Sequence, residues 1–144
     1  MIAISLDKIL ENVYAYSSLH RILRETRRPA LLTERNAAAI KRIIILSAGQ
    51  ALLRIAPAVQ SSTIDGTDPA TDDIVGFELR LEPEQEGPAR AALESAVTFI
   101  TLATLYATAD TEYAATQSTR AGDALESINL MLPLKYKPRR KPAA

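Results

Sequence analysis

The single histidine of the chain, His20, is the residue with the clearest capacity for acid–base chemistry. Tyr16, His20 and Leu23 recur at helical spacing, which places His20 on an apolar helix face. A catalytic triad converges in space and not in sequence, so no Ser or Asp spacing identifies a partner for it. The pattern favours a partly buried, hydrogen-bonded histidine. With one His, no Cys and scattered carboxylates, we predict no enzyme activity, no catalytic residue and no cofactor.

Acidic residues cluster in a polar stretch between two apolar segments. The aspartates of this cluster are Asp65, Asp68, Asp72 and Asp73. Their spacing does not match the twelve-residue calcium loop that ends in a bidentate Glu, which indicates a solvated acidic loop and no metal site. The chain has five glycines and neither a Walker motif nor a dinucleotide fingerprint, so a phosphate-cradling loop is not expected.

Basic residues form two groups. The first group, near the end of a predicted helix, is Arg21, Arg24, Arg27 and Arg28. The second group, in a Pro-rich C-terminal tail, is Lys135, Lys137, Arg139, Arg140 and Lys141. Arginines near a helix C-terminus complement the helix dipole and can pair with nearby glutamates. Both groups could also make non-specific contacts with DNA phosphates, or dock on an acidic protein surface such as another copy of the chain.

Charge is distributed in blocks although the formal net charge is zero. Residues 7–54 carry nine Lys/Arg against four Asp/Glu, and residues 65–94 carry two against nine. Residues 95–134 carry one against four, and residues 135–141 carry five against none. Such a chain can pair with itself, either within one fold or between copies in an assembly.

Composition favours a helical core. The chain has 144 residues, of which 47% are apolar and 5% aromatic, so Ala, Leu and Ile must fill the interior of a single domain. The absence of Cys fits a reducing compartment. The N-terminus shows no signal-peptide pattern, and no run approaches eighteen apolar residues. We therefore predict a cytoplasmic protein that makes no membrane contact, unless it is part of a virion.

Two helices are predicted in the first third of the chain. The first runs from about Ser5, a suitable N-cap, to about Thr26, before Pro29. Its predicted apolar face comprises Leu6, Ile9, Leu10, Val13, Tyr16, His20 and Leu23, widened by Leu19 and Ile22. The second helix runs from Thr33 to about Ala56. Its predicted apolar stripe comprises Ile40, Ile43, Ile44, Ala48, Ala51, Leu52 and Ile55. Because Ile45, Leu46 and Leu53 make it apolar nearly all round, we expect this helix to be central.

The polar stretch between the helical segments contains a predicted strand. Residues 77–82, FELRLE, alternate between apolar and charged side chains, and residues 59–64 could pair with them as a β-hairpin. We refer to residues 59–87 as the arm, and predict that it binds a partner because an exposed strand invites pairing. The predicted contact residues are Ile64, Asp65, Asp68, Asp72, Asp73, Phe77, Glu78, Leu79, Arg80 and Leu81. The alternative is a hairpin that only caps its own bundle.

The last third of the chain is predicted to be helical from Pro88 to about Leu132. Two apolar stripes run along its first half, and the predicted members are Leu93, Val97 and Ile100, then Ala92, Ala96, Phe99, Ala103 and Tyr106. Residues 108–119 are polar and Thr-rich, and the pattern resumes with Ala121, Leu125, Ile128 and Leu132. The pattern leaves open whether this is one bent helix or two.

These elements predict a mainly α fold: a small bundle of three to four helices with an inserted β-hairpin or extended arm. The single domain comprises residues 1–134. A disordered or extended basic tail follows at residues 135–144, because its composition is too basic and Pro-rich to fold alone.

The order of these elements resembles the small helical head–tail connector, or adaptor, proteins of tailed bacteriophages. The resemblance covers most of the chain but is one of layout without a sequence motif, so no residue role is carried over. It implies a virion protein, assembled in the host cytoplasm, whose copies form a ring between portal and tail proteins and line the DNA channel. The alternatives are a small helical DNA-associating protein and an adaptor module that binds a partner through the arm.

Overall fold

The structure, a computed structural model, describes residues 2–23, 34–55, 59–65, 74–79 and 83–131. Over these ranges the chain is mainly helical, with four α-helices and three short strands. In chain order the elements are β1 (Ile2–Ser5), α1 (Leu6–Leu23), α2 (Ala37–Ile55), β2 (Val59–Asp65), β3 (Ile74–Leu79), α3 (Glu86–Tyr106) and α4 (Thr111–Met131). The predicted helical bundle with an inserted hairpin is confirmed. The basic tail, residues 135–144, lies outside the described residues.

The three strands form one antiparallel sheet in the order β1-β3-β2. In its register Val75 pairs with Ile4 on one side and with Ile64 on the other, and an irregularity follows Val59 in β2. The predicted hairpin is therefore confirmed, although its second strand begins earlier, at Ile74, and Leu81 lies outside the described residues. The strand β1 was not predicted, because four residues carry too short an alternation to be recognised.

The junction between β1 and α1 has the predicted start signal. The hydroxyl oxygen Oγ of Ser5 accepts a hydrogen bond from the backbone N–H of Lys8 at 3.4 Å, as an N-cap residue does. Ile4 and Leu6, on either side of Ser5, are both buried in the core. The end predicted near Thr26 lies outside the described residues, which stop at Leu23 in this helix.

Two adjacent residues in the first turn of α1 connect it to two other helices. The Lys8 ammonium lies 2.9 Å from the carboxylate of Glu94 on α3. Asp7 forms an ion pair with Lys41 of α2, whose side chain is almost fully buried. Charged heads of opposite sign therefore fix the start of α1 against α2 and α3.

The central helix is α3 and not α2, which corrects the prediction. Three consecutive residues of α3, Ala96 to Thr98, are all buried, and so are Ile100 to Leu102, so this helix is enclosed on nearly every side. It packs against α1, α2 and α4. The outer face of α2, by contrast, exposes Leu46 and Leu53. Apolar residues all round a helix signal burial only when neighbours cover every side.

The composition of α3 explains how it occupies the centre. The hydroxyls of Thr98, Thr101 and Thr104 each donate to the carbonyl oxygen four residues earlier, at 2.8 to 2.9 Å. Thr98 and Thr101 are buried, and these bonds satisfy hydroxyls that burial would otherwise leave without a partner. Small residues at Ala89 and Ala96 are fully buried and let neighbouring backbones approach closely.

The long C-terminal helical segment is two helices. They are separated at residues 107–110, and the second begins at Thr111. The carboxylate of Asp110 caps α4 by accepting a bond from the N–H of Tyr113 at 3.1 Å. Of the polar, Thr-rich residues 108–119, those from Thr111 onward are helical. Pro88 lies in the first turn of α3, as predicted.

The predicted apolar face of α1 is correct for its first part and wrong at its end. Ile9 and Val13 are buried, but Leu19, Ile22 and Leu23 are all at least half exposed. The periodicity continues beyond the point where described neighbours cover α1, so the last turn presents apolar side chains to solvent.

Candidate functional site

His20 lies where the end of α1 meets the turn between α3 and α4. Its Nε2 is 3.1 Å from Oδ2 of Asp110. The imidazole stacks on the ring of Tyr113 at a centroid distance of 3.9 Å and meets the ring of Tyr106 edge-on at 5.2 Å. The prediction of a partly buried, hydrogen-bonded histidine is confirmed, with 14% of the side chain exposed.

Ser17 lies one turn before His20 and makes the second polar contact of this cluster. Its Oγ is 2.6 Å from the phenol oxygen of Tyr106, and both side chains are buried. Residues three apart on a helix share a face, so Ser17 and His20 approach α3 and α4 together. We call Ser17, His20, Tyr106, Asp110 and Tyr113 the histidine cluster.

Asp110 serves two elements with one carboxylate. Oδ1 accepts the N–H of Tyr113 at the start of α4, while Oδ2 faces His20 of α1. The backbone of the same residue bridges the turn, since its N–H donates to Tyr106 and its carbonyl accepts from Ala114. The turn that separates α3 from α4 is thereby also one attachment point of α1.

Tyr113 has a perturbed ionisation. Burial raises its pKa to about 12, and the nearby phenol of Tyr106 adds to the increase, partly offset by Arg120. The neutral phenol is therefore strongly favoured where it stacks on His20.

A second aromatic contact continues from the histidine cluster along the bundle. Tyr16 of α1 meets Phe99 of α3 edge-on at 5.5 Å, and the guanidinium of Arg120 on α4 lies 5.9 Å from the centre of the Phe99 ring. Three helices thus meet around one aromatic row, a geometry in which such contacts add to burial.

The histidine cluster has the geometry of an interhelical clamp. Catalytic activation of Ser17 would require its Oγ to bond to an imidazole, but this oxygen bonds to Tyr106, while Nε2 of His20 faces Asp110. The residues hold three helix ends together, and each polar side chain has its partner inside the protein. Sequence reasoning did not identify Ser17, Asp110 or Tyr113; only the Asp preceding a helical stretch gave a local signal, that of an N-cap.

The predicted contact residues of the arm are partly described. Ile64 and Asp65 end β2, while Phe77, Glu78 and Leu79 lie in β3. The register pairs Asp65 with Ile74, and Phe77 lies between Ser62 and Ile2. The other predicted members, Asp68, Asp72, Asp73, Arg80 and Leu81, lie outside the described residues.

The arm strands follow α2 and precede α3 in the chain, and their sheet packs against α1 and α3 through β1. Among the described elements, β1 is the strand that packs against both α1 and α3, while β3 pairs with β1 and β2 pairs with β3. The strand β2 is therefore at an edge of the sheet, and it is the strand farthest from β1. A hairpin that needs support to be stable receives it from the N-terminal strand of the same chain.

Of the predicted basic contact residues, the described part of the chain includes Arg21 alone. Arg21 is exposed in the last turn of α1, beside the exposed residues Leu19 and Ile22. The predicted contacts Arg24, Arg27, Arg28, Lys135, Lys137, Arg139, Arg140 and Lys141 lie outside the described residues. Arg21 lies about 24 Å along the helix from Ser5, where β1 joins α1.

Within the described part of the chain, no group of three or more His, Cys, Asp or Glu side chains is arranged to hold a metal ion. The same residues include no helix with the length and apolar character that crossing a membrane requires. A scan against protein-family models and searches of curated proteins and of solved structures found no match to this chain.

Proposed function

We propose that this protein is a structural assembly protein that associates with copies of itself. The specific form we propose is a head–tail connector of a tailed bacteriophage, forming a ring between portal and tail and lining the DNA channel. The virion would then be its location, and the portal and tail proteins its further partners. We propose no enzymatic role, because the polar side chains of the histidine cluster already bond to one another.

The observation that carries the proposal is the separation of complementary features along α1. At one end β1 connects the helix to the arm, whose described strands include Asp65 and Glu78. At the other end Arg21 is exposed beside Leu19 and Ile22. Because about 24 Å of helix separates the two ends, a contact between copies could bring Arg21 of one copy to the arm strands of the next. Such a head-to-tail contact is heterologous and closes into a ring when its rotation allows.

The sheet supports the same proposal. The seven-residue strand β2 is at the edge of the sheet, and edge strands present unpaired backbone groups that another chain can use. A partner-binding adaptor that captures a different chain through β2 is the second candidate, since strand addition does not require the partner to be identical.

Light scattering of the purified protein at low and high salt tests the proposal. We expect a mass well above the 15.7 kDa of one chain at low salt and a lower mass at high salt, because salt screens the contacts between exposed charges. Electron micrographs of the assembled fraction should show closed rings. A mass of one chain at every concentration and salt would contradict self-assembly.

Charge-reversal variants test whether the arm and the end of α1 form the contact between copies. Glu78→Lys and Arg21→Glu should each reduce the assembled mass, and an equimolar mixture of the two variants should recover part of it. Arg90→Glu, at an exposed position of α3, is the matched control and should assemble like the unmodified protein. Equal assembly by all variants would exclude the arm and the end of α1 as the contact.

A further inference from the structure

The outer face of α2 carries an apolar and basic stripe that no described element covers. Leu46 is 67% exposed and Leu53 is 77% exposed. They are seven residues apart, so they lie on one face, and the exposed Arg42 lies one turn before Leu46 on that face. The helix contains no acidic residue. We call Arg42, Leu46 and Leu53 the α2 stripe.

The outer face of α4 carries a stripe of the opposite charge. Glu112, Asp123 and Glu126 are exposed and fall at helical spacing on one side of the helix. Leu130, one turn after Glu126, is 81% exposed, the largest exposure of any large apolar side chain described. We call Asp123, Glu126 and Leu130 the α4 stripe.

The pair Arg42 and Leu46 of the α2 stripe matches the pair Glu126 and Leu130 of the α4 stripe in order and in spacing. Arg42 precedes Leu46 by four residues, and Glu126 precedes Leu130 by four residues. If the two helices lie side by side in parallel, a register that places Arg42 opposite Glu126 also places Leu46 opposite Leu130. The antiparallel register that places Arg42 opposite Asp123 would instead put Leu46 opposite Thr119 and Leu53 opposite Glu112. Charge and apolar pairing therefore select the parallel register.

We propose that the α2 stripe of one copy binds the α4 stripe of a second copy, in parallel, with Arg42 facing Glu126 and Leu46 facing Leu130. This rests on the proposed function, and it names a surface separate from the arm. The contact joins two different patches, so each copy offers one of each kind to its neighbours. Leu46 and Leu130 supply apolar burial, while Arg42 and Glu126 set the register and disfavour other alignments.

The test uses the full chain with one charge reversed on each stripe. In a concentration series followed by sedimentation velocity, Arg42→Glu and Glu126→Arg should each raise the concentration for half-association about tenfold or more. An equimolar mixture should return to within about threefold of the unmodified protein, because the acidic side chain introduced on α2 of one variant then faces the basic side chain introduced on α4 of the other. Arg54→Glu makes the same charge change on α2 about 120° away from Arg42 and should have no effect.

The outcomes separate this contact from self-assembly as such. The α2–α4 contact would be overturned if both variants associate at the same concentration as the unmodified protein, or if the mixture does not recover association. Either result would leave assembly through the arm in place. An unmodified protein that stays at the mass of one chain throughout would overturn both proposals. If both variants unfold at the same temperature as the unmodified protein, the loss of association is not a loss of folding.

Discussion

Nε2 of His20, near the end of α1, lies 3.1 Å from Oδ2 of Asp110, in the turn that leads into α4. This contact joins residues that are ninety positions apart in the chain, and it coincides with the point where the long C-terminal helical segment divides in two. One carboxylate therefore takes part both in the cap that follows the helix break and in the attachment of the end of α1.

His20→Ala should destabilise the fold by about 2 kcal/mol, since it removes a polar contact to a carboxylate and a stacked ring. Urea unfolding followed by circular dichroism measures this change. Ser18→Ala, at the exposed position two residues earlier, is the control and should change the free energy of unfolding by less than about 0.5 kcal/mol. Equal effects of the two substitutions would show that the clamp contributes nothing.

Asp110→Ala should cost more than His20→Ala, because it also removes the cap of α4, which contributes about 1 kcal/mol. Asp110→Asn should cost less than Asp110→Ala, since an asparagine oxygen can still accept the N–H of Tyr113. Chemical denaturation of the three variants gives the order. If Asp110→Asn and Asp110→Ala are equally unstable, the cap of α4 does not contribute to the stability lost at this position.

Tyr113 predicts a loss of stability in alkali. Its pKa is raised from 10.0 to about 12 in the folded chain, chiefly by burial, so the unfolded chain releases this proton first. The stability that this group contributes is complete below pH 10 and decreases as the pH rises through about 12. Tyr113→Phe should remove this part of the alkaline decrease. Unfolding midpoints between about pH 9 and 12, compared with those of Tyr14→Phe, provide the measurement.

Because the ammonium of Lys41 is buried, we expect the fold to lose more stability when Asp7 alone is removed than when both members of the pair are replaced. Asp7→Ala leaves the lysine without this counter-charge at a site where its side chain is 6% exposed, and should cost about 2 kcal/mol. Adding Lys41→Met should recover part of that loss, since it removes the buried charge as well. A double variant less stable than Asp7→Ala alone, in urea titrations, would contradict this account.

Gln117 is a polar residue in the core of α4. Its side chain is 1% exposed, and no described residue forms a hydrogen bond with its buried Oε1. Gln117→Met, of similar volume, should leave stability unchanged or raise it by about 1 kcal/mol, whereas Gln117→Glu should lower it by more than that. Thermal unfolding of the two variants distinguishes these directions.

Local sequence patterns by themselves predicted the helical segments, the starts of α1 and α3, and the hairpin, but not the starts of α2 at Ala37 and α4 at Thr111. Ser5 predicted the start of α1, Pro88 the first turn of α3, and the alternation around Phe77 predicted a strand. These features depend on residues that are close in sequence: the N-cap side chain, the ring of proline and the alternation of side chains along a strand. They can therefore be predicted without knowing the fold. The apolar stripes of α3 and α4 were predicted for the same reason.

Only the tertiary structure determined which apolar side chains are buried by neighbouring helices. Leu46 of α2 and Leu102 of α3 are both apolar residues in apolar helices, yet one is exposed and the other fully buried. That difference depends on which helix has neighbours on every side, a property of the assembled bundle. The strand β1 and the histidine cluster arise in the same way: Ile2 pairs with Phe77, and His20 meets Asp110, across distances in sequence that no local pattern spans.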